Sequence, residues 1–226
     1  MASKSVKAPK IVRTPHHEFI LVGTGHVMRS SAKAARQAIR DYDPDIVAVE
    51  LDMTRFRALG KRVKPSLGKA LKSKNKAEGL GYLALHSFQQ KAGKAMNMSP
   101  GRDLLAAVDE AKKQRVPVYL IDRDIRVTMR RLTRQLTLRD KLNLVKSLVL
   151  GLFGLSKEDI SEVMENKDSL MHEFKKELPT MYRVLVTERD KYMASMLLSA
   201  PPGRVVVVVG AGHLDGIEAE LTRHLT

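Results

Sequence analysis

Two histidines, His26 and His213, each stand three residues after a glycine that stops an aliphatic run. The phrases are Ile20-Leu21-Val22-Gly23-Thr24-Gly25-His26 and Val207-Val208-Val209-Gly210-Ala211-Gly212-His213. The same device delivers an imidazole from each end of the chain, which points to one shared site. Acids follow similar runs: Glu50 after Ile46-Val47-Ala48-Val49, and Asp124 shortly after Val118-Tyr119-Leu120-Ile121. Two neutral imidazoles and a carboxylate are a common ligand set for catalytic zinc and related metals, with a position open for water. Such an ion lowers the pKa of its water and polarises a carbonyl. A further carboxylate can then serve as general base. Arg123 adds a fixed positive charge suited to an oxyanion or a carboxylate. Gly23, Gly25, Gly210 and Gly212 permit tight turns and leave backbone N–H groups near the histidines. One Gly-x-x-His phrase alone is weak, and the plain reading is a hydrogen-bonded histidine at a strand end. For Glu50 and Asp124 the plain reading is a helix cap or an ion pair with Arg123 or Arg126.

These residues need elements that bring them together. A strand over 18–23, a helix from Ser30 or Ser31 to about Asp41 and a strand over 46–50 make a βαβ unit, so the two strands should be parallel. Residues 52–60 read as a short helix, 77–94 as another, and Ser99-Pro100 as the start of a third. Val116 to Asp122 is a third strand. The pattern over 124–199 is mostly helical, with breaks near Gly151–Ser156 and at Pro179. Pro201-Pro202-Gly203 turns the chain into a last strand at 204–209, and a helix begins near Leu214. The expected fold is α/β, with a mainly parallel or mixed central sheet of four or more strands flanked by helices. A helical insertion separates the third and last strands. Residues 1–17 read as a basic flexible tail, and 18–226 as a single domain with the insertion at about 124–199. Ligands of open α/β sheets bind outside the carboxyl ends of the strands, and all four site phrases fall there.

The 226 residues are 43% apolar, enough for a sizeable core. Cysteine is absent, so thiolate metal sites and Cys nucleophiles are excluded. Any metal must use His, Asp and Glu, which suits zinc, manganese, cobalt or iron. Trp is absent and aromatics are 4%, so stacking platforms for single-stranded nucleic acid are not expected. The net charge of +15 attracts polyanions, but no nucleic-acid motif accompanies it. The acid-free basic stretch 61–76 is the best candidate for an anionic surface contact. No apolar leader segment is visible over 1–17. A dinucleotide reading of Gly23-x-Gly25 and Gly210-x-Gly212 lacks the third glycine, since Met28 and Asp215 stand in its place. Glu188-Arg189-Asp190 falls on a helical pattern, where a solvated salt-bridge face is the plain reading.

Taken together, the phrases resemble the TraB/PrgY family. They are Gly23-Thr24-Gly25-His26-Val27, Pro44 to Asp52 with Arg55, Leu120 to Ile125, Glu188 to Ala194 and Val208 to Ile217. The resemblance covers about residues 18–222. The family is grouped with TIKI-type proteases and, more distantly, with ChaN-like and erythromycin-esterase-like proteins. It implies a metal-dependent hydrolase fold using manganese or cobalt. His26, Glu50 and His213 would form its site, with Arg123, Asp124, Glu188 and Arg189 in support. Bacterial members are linked to shutdown of a peptide pheromone. One departure is Asp103, which stands where many members have Glu in a Glu-Met phrase. Many prokaryotic relatives also carry a membrane-spanning C-terminal region.

The leading expectation is a metal-dependent hydrolase, with a small peptide or other small substrate. The first alternative is a non-catalytic binder of a peptide or anionic ligand. The second is a basic adaptor for a membrane surface or polyanion, working through 61–76 and the Arg-rich 123–139 segment. No specific nucleic acid is expected, and a homodimer is compatible with the sequence. The location is expected to be cytoplasmic, with membrane association if the natural chain continues past residue 226.

Overall fold

The computed structural model describes residues 8–24, 29–60, 101–137, 140, 172, 175–176 and 178–224. Five strands form one sheet: β1 (Lys10–Arg13), β2 (His17–Thr24), β3 (Ile46–Val49), β4 (Val118–Leu120) and β5 (Gly203–Gly210). Their order is β1-β2-β5-β3-β4. β1 is antiparallel to β2, and the other neighbours are parallel. The helices on this sheet are α1 (Arg29–Tyr42), α2 (Met53–Gly60) and α3 (Arg102–Lys113), and, later in the chain, α6 (Glu188–Leu198) and α7 (Leu214–Arg223). This is the expected α/β class. Residues 61–76 and 77–94 lie outside the described residues.

β5 runs down the middle, from His17↔Gly203 to Thr24↔Gly210 against β2, with β3 on its other side. A parallel strand covered on both faces reads as a continuous apolar run, and β5 is five consecutive buried valines. Strand side chains alternate between faces. Val205, Val207 and Val209 join Phe19, Leu21, Met193, Leu197, Ile217 and Leu221 in one cluster. Val206 and Val208 join Ile20, Val22, Ile39, Leu104 and Val108 in the other. The sheet therefore lies between α6 and α7 on one face and α1 and α3 on the other.

The basic tail expected over 1–17 ends sooner than expected, because Lys10–Arg13 is a strand. Val12 is buried, and Lys10 Nζ donates to Asp215 Oδ1 (2.7 Å) and Glu218 Oε2 (2.5 Å) on α7. Lys-Ile-Val-Arg is too short to show a strand period; antiparallel pairing with β2, from Lys10↔Leu21 to Arg13↔Glu18, fixes it, and Lys10 adds a tie to α7. His17 is buried against the Ala200 carbonyl (Nε2 to O, 3.0 Å) and stacked on Phe19.

Contacts divide the chain into two compact units, with breaks among the described residues at 125/126 and 188/189. The sheet unit takes back the chain at Arg189 because Met193, Ala194 and Leu197 pack in its core. The described part of the second unit has α4 (Ile125–Gln135) from Arg126 on, α5 (Pro179–Tyr182) and a π-helical stretch, Arg183–Thr187. It buries Met129, Leu132, Val184 and Val186. Thr137 and Asp140 bond reciprocally, side chain to backbone, at 2.8 and 3.1 Å. Among the described residues no helix is long and apolar enough to cross a membrane.

Below the sheet, Arg40 of α1 forks onto Glu110 of α3 at 2.6 and 3.1 Å. These guanidinium bonds hold the Glu110 carboxyl below its ordinary value of 4.5. A depressed folded pKa gives stability that is present above the unfolded value and lost as pH falls through the folded one. Glu110→Gln should therefore destabilise the protein at pH 7 and do so progressively less below about pH 4.5. Urea denaturation of both proteins across pH 3–7 checks this, and a constant difference would refute it.

Candidate functional site

The carboxyl ends of β3, β4 and β5 each deliver a polar residue to one place. Glu50 follows β3, and its own N–H donates to the Val208 carbonyl of β5 (3.1 Å). Asp122 follows β4, and its N–H donates to the Leu51 carbonyl (3.2 Å). His213 follows β5 through a turn in which its N–H donates to Gly210 O (2.9 Å), and it then opens α7. The first turn of α6 brings in Arg189 and Asp190.

Arg189 is the centre. Its Nε and Nη2 fork onto Asp122 Oδ1 and Oδ2 at 3.0 and 2.8 Å. Nη2 also donates to Glu50 Oε1, and Nη1 lies 3.0 Å from His213 Nε2. Glu50 Oε2 accepts the Gly210 N–H at 2.6 Å. Asp122 also accepts Arg55 Nη1 (3.0 Å) and the Arg123 N–H (2.8 Å). Asp190 Oδ1 sits 2.6 Å from His213 Nδ1. Side-chain exposures are 13% for Arg189, 4% for Glu50, 3% for Asp122, 7% for Asp190 and 10% for His213. Charge-assisted bonds in such shielded places are the strong ones.

Protonation follows from the donors. A guanidinium can only donate, so Nε2 of His213 must hold a lone pair and the ring proton sits on Nδ1, toward Asp190. Burial works against the Arg189 charge, but the Glu50 and Asp122 carboxylates outweigh it and hold its pKa above the ordinary arginine value. Burial also pushes the Asp190 carboxyl up, with the bond to His213 pulling the other way.

Some expected residues are brought together here and some are not. Glu50, Arg189 and His213 meet. His26 and Gly25 lie outside the described residues. Asp124 accepts from the Thr54 hydroxyl in a long contact of 3.4 Å. Arg123 is buried and contributes its backbone N–H to Asp122. Glu188 belongs to the second unit, where Arg131 Nε donates to it at 2.8 Å. Asp103 is buried on α3 with Oδ1 on the Leu104 N–H (3.0 Å). Of the glycines, Gly210 gives its N–H to Glu50, whereas Gly23 is paired within the sheet and leaves room for Leu214. Asp122 and Asp190 were not expected. Asp122 carried a signal, since it leaves β4 as Glu50 leaves β3. Asp190 carried only its place beside Arg189.

The chemistry of the donors can be tested against a divalent metal. Glu50 Oε1 and His213 Nε2 are both acceptors, lie 3.4 Å apart and share the Arg189 guanidinium as donor. Asp190 behind the imidazole is the usual outer partner of a metal-bound histidine. Three buried carboxylates, Glu50, Asp122 and Asp190, meet the two guanidiniums of Arg55 and Arg189 and the His213 ring. Asp52 Oδ2 is buried with no hydrogen-bond partner among the described residues. Charge and donor type thus fit a divalent cation. Among the described residues only two ligands converge, and no group of three or more His, Asp or Glu does.

Gly216, on the first turn of α7, sets the position of Asp190. A β carbon there would lie 2.1 Å from Asp190 Oδ2. Gly216→Ala should cost about 1–3 kcal/mol and lengthen the Asp190–His213 bond. Denaturation curves and the imidazole Nδ1–H proton signal measure the two effects, and an unshifted signal would count against this geometry.

A family model described as the TraB/PrgY/gumN family matches residues 10–224. An uncharacterized protein of Methanocaldococcus jannaschii is 35% identical over 207 residues, covering 88% of this chain and 52% of that protein. A TraB domain-containing protein of Bos taurus is 30% identical over 238 residues, covering 91% and 63%. The Homo sapiens TraB domain-containing protein is 29% identical over 231 residues, covering 88% and 61%. The chain thus spans about half to three-fifths of the length of these relatives.

Proposed function

The chain belongs to the TraB/PrgY/gumN family, and on that footing we propose that it is a metal-dependent hydrolase of a small substrate such as a peptide. Glu50 and His213 would hold the ion, manganese, cobalt or zinc, with His26 as the third ligand. When bound, the ion supplies Lewis acidity and a water activated near neutral pH. Asp190 keeps the His213 proton on Nδ1, so that Nε2 faces the site as a lone pair. The Gly210 N–H holds Glu50 Oε2 and leaves Oε1 turned toward His213. Asp122 fixes the Arg189 fork, whose donors suit the negative charge that develops on a carbonyl oxygen during hydrolysis. The single observation carrying the reading is His213, with Asp190 2.6 Å from Nδ1 and Glu50 3.4 Å from Nε2.

His213→Ala should abolish metal uptake while the protein stays folded, and hydrolysis of a peptide library should fall by about 10²–10⁴-fold. Asp190→Asn should lower metal affinity by about 10–100-fold. Metal content by mass spectrometry, turnover and circular dichroism are the measurements. Unchanged metal content in His213→Ala would sink the reading.

A second reading, a basic adaptor for an anionic surface, has one observation in its favour. Arg126, Arg130 and Arg134 recur every four residues on α4, all exposed, in a helix without an acid. Binding to anionic vesicles should then weaken steeply between about 50 and 200 mM salt. Salt-insensitive binding, or none, would remove it.

A further inference from the structure

We infer that Arg189 is a placeholder cation, its guanidinium competing with an ion for Glu50 Oε1 and His213 Nε2. The inference rests on reading this site as a metal centre. Glu50 Oε1 and His213 Nε2 are two acceptors 3.4 Å apart, and Arg189 gives an N–H to each. Without a cation there, two lone pairs would face each other in a nearly closed place, beside the buried Asp190 carboxylate. The guanidinium relieves that repulsion and keeps both side chains aimed at the same point.

A guanidinium has no acceptor and stays protonated, so it cannot itself ligate an ion. Nε2 has a single lone pair, which cannot serve an Arg189 N–H and a metal at once. Occupancy by Arg189 and by metal are therefore mutually exclusive at His213. Arg189 need not leave the region when it yields. Its Nε bond to Asp122 Oδ1 stands apart from both ligand contacts, whereas Nη2 serves Asp122 and Glu50 together and Nη1 meets His213. With Asp122 as pivot, the side chain keeps its anchor while it withdraws from the two ligands. The displaced guanidinium remains close by, where its donors can meet a bound substrate. Apparent metal affinity is then the intrinsic affinity reduced by the fraction of molecules in which Arg189 has withdrawn.

Chelator-treated wild type, Arg189→Lys and Arg189→Met are titrated with manganese(II), following free ion by electron paramagnetic resonance. Lysine keeps the charge but lacks the fork that spans Asp122 and His213, so Arg189→Lys carries the test should the methionine variant unfold. Both variants should bind manganese about tenfold or more tightly than wild type, and adding His213→Ala should abolish binding in each. Equal affinity in all three proteins overturns the placeholder while leaving the metal centre intact. Weaker binding in the variants also overturns it, making Arg189 a support for the ion. No uptake by any of the three overturns both the placeholder and the metal reading.

Discussion

A carboxylate oxygen and an imidazole lone pair held 3.4 Å apart, nearly out of reach of water, require positive charge. Much of the local structure meets that requirement. Asp190 fixes which imidazole nitrogen faces inward, Gly210 fixes which Glu50 oxygen does, and Asp122 holds the guanidinium that lies against both. Taking away one charged partner of a buried set is far more costly than losing an exposed ion pair, because the other is left uncompensated. The cluster therefore behaves as one unit, and its members come from four separate parts of the chain.

The sheet makes this convergence possible. Three parallel strands, β3, β4 and β5, stop at nearly the same level, because their register ties Val49 to both Val208 and Leu120. Residues just past those ends fall together without long loops. The five valines of β5 matter to the site only indirectly: with both faces covered, the strand that carries His213 has little freedom to shift.

The strand ends were legible in the sequence because an aliphatic run that stops abruptly, at Glu50 after β3 and at Gly210 in β5, is a strong local signal. That placed Glu50 and His213 correctly at the carboxyl edge of a parallel sheet. Other features depended on distant partners. β1 is held by its ladder with β2 and by Lys10 reaching acids on α7, and nothing within Lys-Ile-Val-Arg announces it. In Glu188-Arg189-Asp190 each residue points about 100° from the next around the helix, so only direction separates the members. Glu188 turns to Arg131 in its own unit, while Arg189 and Asp190 turn to the strand ends. Sequence gives the triad but not its phase. The division into two units was hidden for a similar reason, since α6 reads as one uninterrupted helix although its packing belongs to the sheet from Arg189 on.

Gly216 shows how such a site limits the rest of the protein. In the first turn of α7, alanine would favour the helix by about 1 kcal/mol over glycine. That improvement is closed, because the space of one methyl group is already taken by Asp190. α7 must therefore draw its stability from elsewhere, from Ile217 and Leu221 in the core and from the tie between Lys10 and its two acids. The edge strand β1, far in sequence and remote from any chemistry, becomes a counterweight. It steadies a helix whose opening turn is kept weak so that one carboxylate can stand behind one histidine.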